Sequence, residues 1–245
     1  MSEKRRHRGP APEDRLFDDP NRLRKLRQAV EDLSWLLERG YSSKAASELV
    51  GNRYQLTARE RLAMAHAAWN TRGREAPLGA EELSGHRLCI DGFNLLITLE
   101  SALGGAVLIR GRDGLLRDIA NVHGHYTLRA ETEEALKLAA EASKELKVRE
   151  ALWIFDRPVS NSGRIAALVE TIGREKGIAM RGRTADGVDR LLKNCEGVVV
   201  SADSAILESG VLWFDLGGWI VERFIPQAKI VDLGGSPHAE SRPVC

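Results

Sequence analysis

The sequence predicts an α/β protein in which a parallel sheet follows a small all-α domain. Two observations support this prediction. From Leu88 onward, short apolar runs alternate with segments whose apolar residues recur at helical spacing, which is the pattern of successive βαβ crossovers. Before Leu88, three segments with helical spacing follow one another without a strand-like run. The 245 residues have room for a small domain and a medium one.

The bulk composition is that of an ordinary globular protein, with 43% hydrophobic residues, 29% charged residues and a net charge of +1. Residues 1–75 contain 16 Lys or Arg and 11 Asp or Glu, whereas residues 76–245 contain 20 and 24. A basic front would suit a binding module beside a metal-using domain, although a solvated surface gives the same pattern. No secretory signal and no run of membrane-spanning length is present, so we expect a cytoplasmic protein without a membrane partner.

The front of the chain predicts a disordered basic arm over 1–17 and a small helical accessory domain over 18–72. Apolar residues recur at helical spacing in three segments, each with a start signal. The first helix begins at Asp19-Pro20 and stops at Gly40, the second begins at Ser42 or Ser43, and the third begins at the Thr57–Glu60 capping box and runs to about Ala68. Such a bundle can read DNA, bind a protein partner or form a homo-oligomer, and it can also be inert.

The rear of the chain predicts a linker over 73–86, an α/β domain over 87–233 and a tail over 234–245. The predicted strands are 88–91, 151–156, 178–182, 197–201 and 211–215, with a possible sixth at 229–233. The predicted helices are 94–103, 114–122, 131–147, 163–176, 185–194, 203–208 and 217–223.

The three cysteines share no short spacing, which argues against a zinc site and against a disulfide framework. Cys89 and Cys195 lie in or beside apolar runs, and we expect both to be small buried hydrophobic residues.

Several apolar runs end in or near an aspartate. Asp91, Asp156, Asp203 and Asp215 follow four of these runs. In a parallel sheet, the carboxyl ends of the strands meet at one edge, where ligands bind. Carboxylates gathered at one edge repel one another unless a cation joins them, so the pattern predicts a divalent metal site for Mg²⁺ or Mn²⁺.

Helix capping is the alternative explanation for these residues. Asp and Asn are preferred helix N-caps, and a turn from strand to helix places them where Asn94, Asp186 and Asp203 stand. Asp91 is harder to explain in this way, because the following Gly92 suggests a close approach by backbone or ligand.

Two loops predict phosphate contacts. The segment Asp156–Gly163 is dense in hydroxyl and amide groups and leads into a helix, so it could hold a phosphate through Arg157, Ser160, Asn161, Ser162 and Arg164. The alternative is a well-capped turn whose shape is fixed by a proline. Arg112 stands in a second, flexible basic loop that could bind a nucleic-acid backbone or form a solvated turn.

Three segments together resemble the PIN and NYN-type nucleases. The opening Asp91–Leu96 (Asp-Gly-Phe-Asn-Leu-Leu), the acidic segment Thr184–Leu192 and the segment Val198–Leu207 with its Ser-x-Asp are similar in order and approximate spacing to the motifs of that family. The resemblance covers about residues 86–225 and implies a three-layer parallel-sheet domain whose acids hold Mg²⁺ or Mn²⁺ and hydrolyse RNA. The whole chain also resembles the prokaryotic family called domain of unknown function 434, which pairs a helical front with a PIN-like rear.

The resemblance assigns roles that fit two-metal phosphodiester chemistry. Asp91 would be the central metal ligand, with Asp203 on the same metal. Asp186 and Asp189, three residues apart on the predicted helix, would share a face, and one of them would hold a second metal or align the attacking water. Asp156 would be a further metal ligand, and Asn94 would bind a phosphate or a metal-bound water.

The predicted function is therefore a metal-dependent ribonuclease that cuts RNA with a metal-activated water. The alternative is a non-catalytic RNA- or nucleotide-binding adaptor on the same fold. A phosphatase of the haloacid-dehalogenase kind ranks behind both, because those enzymes usually carry a second aspartate where this chain has Phe93.

Overall fold

The computed structural model describes residues 6–69, 74–120 and 125–235. The strands are β1 (Arg87–Asp91), β2 (Leu108–Arg110), β3 (Leu116–Asp118), β4 (Glu150–Asp156), β5 (Met180–Ala185), β6 (Val198–Val200) and β7 (Ile230–Asp232). The helices are α1 (Pro20–Glu38), α2 (Ser43–Arg53), α3 (Ala58–Ala67), α4 (Gly92–Gly104), α5 (Thr132–Glu145), α6 (Ser162–Lys176), α7 (Val188–Lys193), α8 (Ser204–Leu207) and α9 (Leu216–Phe224). The predicted α/β class is confirmed, and the α/β domain is preceded by the three helices α1, α2 and α3, which form the helical front.

Four parallel strands form the main sheet, in the order β5-β4-β1-β6. The register aligns Ile90 of β1 with Trp153 of β4 on one side and with Val200 of β6 on the other. After β5 the chain crosses to the other side of β1 to form β6, so β1 lies where the strand order reverses. In open parallel sheets that position marks the ligand-binding crevice.

The main sheet is covered by helices on both faces. Leu88 and Ile90 of β1 pack with the core under α4, α5, α6 and α9, whereas Cys89 between them packs with α7 and α8. Successive residues of a strand point to opposite faces, and the apolar run of β1 is continuous because both faces are buried. The domain therefore has three layers.

The predicted helix over 114–122 is wrong for residues 114–120, and residues 121–122 lie outside the described part. Residues 108–118 form an antiparallel hairpin of β2 and β3, joined by a turn in which Gly114 has a φ of 80°. Asp113 stabilises this turn by accepting a hydrogen bond from the backbone N–H of Leu115 at 3.2 Å. The predicted strand at 211–215 is reduced to a bridge between Trp213 and Val199, and the sixth strand, β7, pairs with β2 rather than with the main sheet.

The helical front and the second sheet, of order β3-β2-β7, share one core. Phe17, Leu26, Leu33 and Met64 pack in the same buried cluster as the residues that the sheet contributes. Those residues are Val107, Ile109, Ile119, Val231 and Leu233. The three helices begin at their predicted caps, yet the helical front has no closed core of its own.

The segments that flank the helical front are structured. Of the arm expected over 1–17, residues 12–18 form a 3-10 helix with Phe17 buried, and Arg8 is buried in an ion pair with Glu100 at 2.7 Å; residues 1–5 lie outside the described part. Of the linker expected over 73–86, the described residues 74–86 include a buried arginine, Arg74, and the fully buried Leu83. Of the tail expected over 234–245, the structure describes only the first two residues.

The expectation of separate thiols is corrected for two cysteines. Cys89 in β1 and Cys195 after α7 form a disulfide, with their Cα atoms 6.6 Å apart. Sequence spacing could not show this contact, because 106 residues separate the two cysteines. No helix in the described ranges has both the length and the apolar character that a membrane span requires.

Candidate functional site

Asp156, Asp91 and Asp203 form an acidic edge at the carboxyl ends of β4, β1 and β6, and Asp91 lies at its centre. Its carboxylate accepts hydrogen bonds from the Asn94 backbone N–H at 3.3 Å and from the Ser201 hydroxyl at 3.0 Å. Burial, together with the nearby charges of Asp156 and Asp203, raises the pKa of Asp91 to about 7, although the two hydrogen bonds lower it. Asp91 therefore caps α4, and the negative charges of Asp156 and Asp203 disfavour its ionised form.

Gly92 allows this arrangement because the neighbouring strand lies close to it. A Cβ at this position would lie 2.5 Å from the Phe155 ring and 2.9 Å from the Ile154 carbonyl oxygen. The close approach expected at Gly92 is thus made by the protein itself.

Asp156 ends β4, next to β1, and belongs to the same edge. Burial raises its pKa, and the charge of Asp189 raises it further, whereas hydrogen bonds from its own backbone N–H and from that of Val188 lower it. Asp189 is an exposed residue in the first turn of α7. The two carboxylates are close enough to repel each other, so Asp189 extends the acidic edge.

Asp203 follows β6 on the other side of β1 and is exposed. Its Oδ1 accepts a hydrogen bond from the Ala205 backbone N–H at 2.7 Å, which makes Asp203 the N-cap of the short helix α8. The capping explanation therefore holds for Asp203, but its second carboxylate oxygen has no hydrogen-bond partner among the described residues.

Asp186 does not share a helix face with Asp189. β5 continues to Ala185 and α7 begins at Val188, with Gly187 in the left-handed region between them. Asp186 is exposed and forms an ion pair with Arg157 at 3.3 Å. The expected pairing of the two acids along one helix is wrong, because strand β5 is longer than the sequence suggests.

Asn94 and Ser201 tie α4 to the turn after β6. The Oδ1 atom of Asn94 accepts a hydrogen bond from the Ala202 backbone N–H at 2.9 Å, and the Ser201 hydroxyl accepts one from the Asp203 N–H at 3.1 Å. These bonds hold Asp203 near Asp91. Asn94 retains its side-chain N–H groups for a ligand, whereas the role of Ser201 was not predicted.

The acidic edge is not a preformed chelate. Within the described ranges, no three side chains of His, Cys, Asp or Glu are grouped closely enough to hold a metal ion. A cation that binds here would take one or two carboxylates and complete its shell with water or a substrate phosphate, which is the usual way in which proteins bind Mg²⁺.

The loop after Asp156 is a hydrogen-bonded turn. The Asn161 side-chain amide donates to the Tyr126 carbonyl oxygen at 2.7 Å, and the Ser160 hydroxyl accepts from the Tyr126 N–H at 3.1 Å. Ser162 is buried and donates to the Arg157 carbonyl oxygen at 3.3 Å. These side chains are already hydrogen-bonded to other groups of the protein. The structure therefore does not support the expected phosphate cradle of Ser160, Asn161 and Ser162.

The predicted arginines are exposed. Arg112 follows β2, and its backbone N–H donates to the Ala67 carbonyl oxygen of α3 at 2.9 Å, so its loop contacts the helical front. Arg164 lies in the first turn of α6 without a hydrogen-bond partner among the described residues. Both remain accessible to a polyanion.

A polar cavity of about 310 Å³ lies beside Asp203, between the helical front and the α/β domain. His66 of α3, Asn94, Arg117 and Ser204 contribute to its lining. Burial, together with the charge of Arg117, lowers the pKa of His66 to about 4, so the imidazole is neutral at pH 7. Its buried Nδ1 has no hydrogen-bond partner in the described structure and can accept a hydrogen bond from a ligand.

Arg117 is held beside this cavity by a buried charge cluster. It forms ion pairs with Asp113, which also binds Arg74 at 2.8 Å, and its Nε donates to the Ala202 carbonyl oxygen at 2.9 Å. Two cations on one carboxylate leave the cluster with a net positive charge. The sequence did not reveal Arg117 or His66, because the segment of Arg117 was assigned to a helix and His66 to a separate domain.

Asp215, the last acid of the series, caps α9. Its Oδ1 accepts a hydrogen bond from the Gly218 N–H at 2.8 Å. Burial raises its pKa to about 6. Of the two explanations that the sequence left open for this residue, capping is the one that the structure supports.

Comparison with known proteins assigns the two parts of the chain to different family models. Residues 80–219 match the one described as Domain of unknown function (DUF5616), and residues 25–75 match the one described as Protein of unknown function (DUF434). An uncharacterised protein of Methanocaldococcus jannaschii is 30% identical over 196 residues, which cover 75% of this chain and 89% of that protein. No solved structure gives a significant match. The resemblance to the 434 family is thus confirmed for the helical front alone.

Proposed function

This chain belongs to the family described as Domain of unknown function (DUF5616), and we propose that it is a ribonuclease that uses a divalent cation at its acidic edge. One observation carries the proposal. Asp156, Asp91 and Asp203 stand at the carboxyl ends of three adjacent parallel strands, β4, β1 and β6, and burial, together with the charges of Asp156 and Asp203, raises the pKa of Asp91. A carboxylate with a raised pKa, beside other acids at a strand-order reversal, indicates a cation-binding site.

The donor set fits Mg²⁺ or Mn²⁺. Both are hard cations that prefer carboxylate oxygens and water. Asp91 and Asp203 would hold the cation, and Asp156 and Asp189 would add negative charge at the rim. When bound, the cation would lower the pKa of a water molecule and neutralise charge on a phosphate.

The residues around the acids would position RNA. The side-chain amide of Asn94 and the hydroxyl of Ser204 line the cavity next to Asp203 and can donate hydrogen bonds to a phosphate. Arg117, which lines the same cavity, belongs with Arg74 and Asp113 to a net positive cluster that would attract the backbone. Arg112 and Arg164 are exposed cations that would add sequence-independent contacts.

The helical front would take part in binding. His66 comes from α3 and faces the cavity that Asp203 also lines. A neutral imidazole with an unused acceptor nitrogen suits a hydroxyl or amino donor, such as a ribose 2′-hydroxyl or a base edge. The proposal therefore includes selection of RNA by the helical front.

The test combines Mn²⁺ calorimetry with a cleavage assay on mixed RNAs. We expect the wild type to bind Mn²⁺ and to cut RNA, and the double variant Asp91→Asn/Asp203→Asn to lose both. Glu31→Gln is the matched control, since Glu31 is an exposed acid of α1 and its loss should change neither property. Circular dichroism of the variants would establish that they are folded.

Two results would count against the nuclease. RNA binding that persists or strengthens in the double variant, without cleavage by the wild type, would favour the non-catalytic adaptor. Cleavage that survives in the double variant would place the chemistry elsewhere.

A further inference from the structure

A second polar cavity lies at the opposite end of α4 from Asp91. It has a volume of about 270 Å³ and lies between the N-terminal segment, α3 and the C-terminal end of α4. A water molecule occupies about 30 Å³ of liquid, so the cavity could hold about nine waters or one small molecule. It shares no lining residue with the cavity beside Asp203.

Among the described residues, the polar lining of this cavity consists of basic residues and a serine, without a carboxylate residue. The polar side chains come from four segments of the chain: His7, Arg8, Arg59, Ser101 and Arg129. The apolar lining residues are small or medium-sized, so the arginines and the serine determine the chemistry of the cavity.

Two of the three arginines are already neutralised. Arg8 pairs with the fully buried Glu100 at 2.7 Å, and Arg59 pairs with the buried Asp14 at 2.7 Å. Arg129 has no ion-pair partner among the described residues, and its buried Nε lacks a hydrogen-bond partner there as well. Among the described lining residues, Arg129 is therefore the arginine without an ion-pair partner.

The hydroxyl of Ser101 is the second group without a partner. Ser101 is only 1% exposed, and its Oγ atom has no hydrogen-bond partner in the described structure. A buried polar group without a partner costs about 1–3 kcal/mol, so native proteins rarely keep one without a ligand, a water or a function. Ser101 and Arg129 together offer donors to an anion from two sides.

The N-terminal segment closes the cavity and is held firmly. The Glu131 carboxylate accepts hydrogen bonds from the His7 ring at 2.7 Å and from the Arg8 backbone N–H at 3.1 Å. Gly104 allows the segment to lie on the end of α4, because a Cβ there would be 2.1 Å from the Arg8 carbonyl oxygen. The wall of the cavity is thus preformed.

We propose that this cavity is a binding site for a phosphate monoester, with Arg129 and Ser101 as the principal ligands and His7 at the mouth. A phosphate has three terminal oxygens, which match donors arriving from several directions better than a planar carboxylate does. The volume leaves space for a sugar-sized group beyond the phosphate. This site is separate from the acidic edge and does not depend on the function proposed for that edge.

The test is calorimetric titration of the full chain with inorganic phosphate, a nucleoside 5′-monophosphate and acetate. We expect the monophosphate to bind more tightly than inorganic phosphate, and acetate to bind more weakly than either. Equal affinity for the two phosphates would show that the site takes free phosphate and would overturn the monoester assignment. An absence of binding by both phosphates at millimolar concentration would overturn the site itself.

Three variants locate the site. Arg129→Gln should weaken phosphate binding by about tenfold or more, which corresponds to about 1.4 kcal/mol. Ser101→Ala should weaken binding several-fold without lowering the melting temperature of the free protein, because the hydroxyl has no partner to lose. Arg129→Lys, which keeps the charge but loses the planar donors, should lie between Arg129→Gln and the wild type.

Arg24→Gln is the matched control, since Arg24 is an exposed arginine of α1 outside the cavity. Phosphate affinity that falls equally in Arg24→Gln and Arg129→Gln would indicate general attraction to a basic surface and would overturn the proposal. If Arg129→Gln does not fold, Ser101→Ala and Arg129→Lys decide, and wild-type affinity in both variants would be an equally negative result.

Discussion

The raised pKa of Asp91 predicts that this residue destabilises the folded chain at neutral and alkaline pH. The folded state holds the proton with a pKa of about 7, against an ordinary value of 3.8. Unfolding therefore releases this proton between these pH values, and stability falls as the pH rises from about 4 to about 7. At about 1.36 kcal/mol for each tenfold change in proton affinity, the penalty grows to about 4 kcal/mol above pH 7.

Asp91→Asn should remove that penalty. Asparagine caps helices about as well as aspartate does, so the bond to the Asn94 N–H can be kept. Relative to the wild type, the variant should gain about 3 kcal/mol more at pH 8 than at pH 5, because most of the penalty develops between these two values. Urea unfolding at both pH values measures this difference, and effects common to both proteins cancel.

A cation bound at the acidic edge should reduce the stability advantage of Asp91→Asn over the wild type. Millimolar Mn²⁺ should stabilise the wild type at pH 8 and should have a much smaller effect on Asp91→Asn, because a ligand that binds only the folded state adds to its stability. The effect should shrink at pH 5, where protons compete for Asp91. A gain from Asp91→Asn that is equal at pH 5 and pH 8 would refute the reasoning about Asp91, and Glu31→Gln should show no pH-dependent difference.

Two further predictions concern packing and the N-terminal segment. Gly182→Ala should destabilise the fold by at least about 1–3 kcal/mol, because its Cβ would lie 2.1 Å from the Ala166 carbonyl oxygen, whereas Gly163→Ala, with no atom within 4 Å, should stabilise it by about 0.5–1 kcal/mol. Thermal unfolding of the two variants should move in opposite directions, and a loss of stability in both would contradict the packing argument. Arg8→Gln should cost about 3–5 kcal/mol in urea unfolding at pH 8, because it leaves Glu100 buried without its cation; a cost below 1 kcal/mol would show that the pair is solvated.

The sequence alone predicted the acidic edge because strand ends are a local signal. Asp91 and Asp203 each follow a run of apolar residues, and the rule that parallel strands end at the same edge brings them together without knowledge of any side-chain contact. This expectation does not depend on the order of the strands in the sheet. The extent of β5 was less predictable, because its residues alternate in polarity and a short edge strand resembles a loop.

The phosphate loop shows why side-chain chemistry alone misleads. Ser160 and Asn161 have the groups that a phosphate would require, and the same groups serve equally well to close a turn. The deciding partner is Tyr126, more than thirty residues earlier in the chain, and no local pattern reveals it. A single sequence therefore identifies the polar loop but not the groups to which its side chains are hydrogen-bonded.

The prediction of a helix at β3 is wrong because the apolar spacing of the hairpin is also that of a helix. Leu115, Leu116 and Ile119 stand at intervals of one and three residues, which is also the pattern of a helical face. In the structure, Leu116 packs under the main sheet and Ile119 packs under the helical front. Strands of three residues are too short to show the alternation of apolar and polar residues that distinguishes a strand from a helix.

The same hairpin explains why two family models do not mean two independent domains. One model covers residues 25–75 and the other covers residues 80–219, yet the buried apolar residues of α1 and α3 pack against Val107 and Ile109, which belong to the second segment. β7, which completes that sheet, lies beyond both matched ranges. Removing the helical front would expose the apolar face of the second sheet, and removing the sheet would leave the helices without five of the sixteen buried residues of the shared core. The cavity beside Asp203 takes His66 from the front, and the cavity beside Ser101 takes Arg59 from it. Because both candidate sites include residues of the helical front, its packing on the second sheet is a condition for either site to exist.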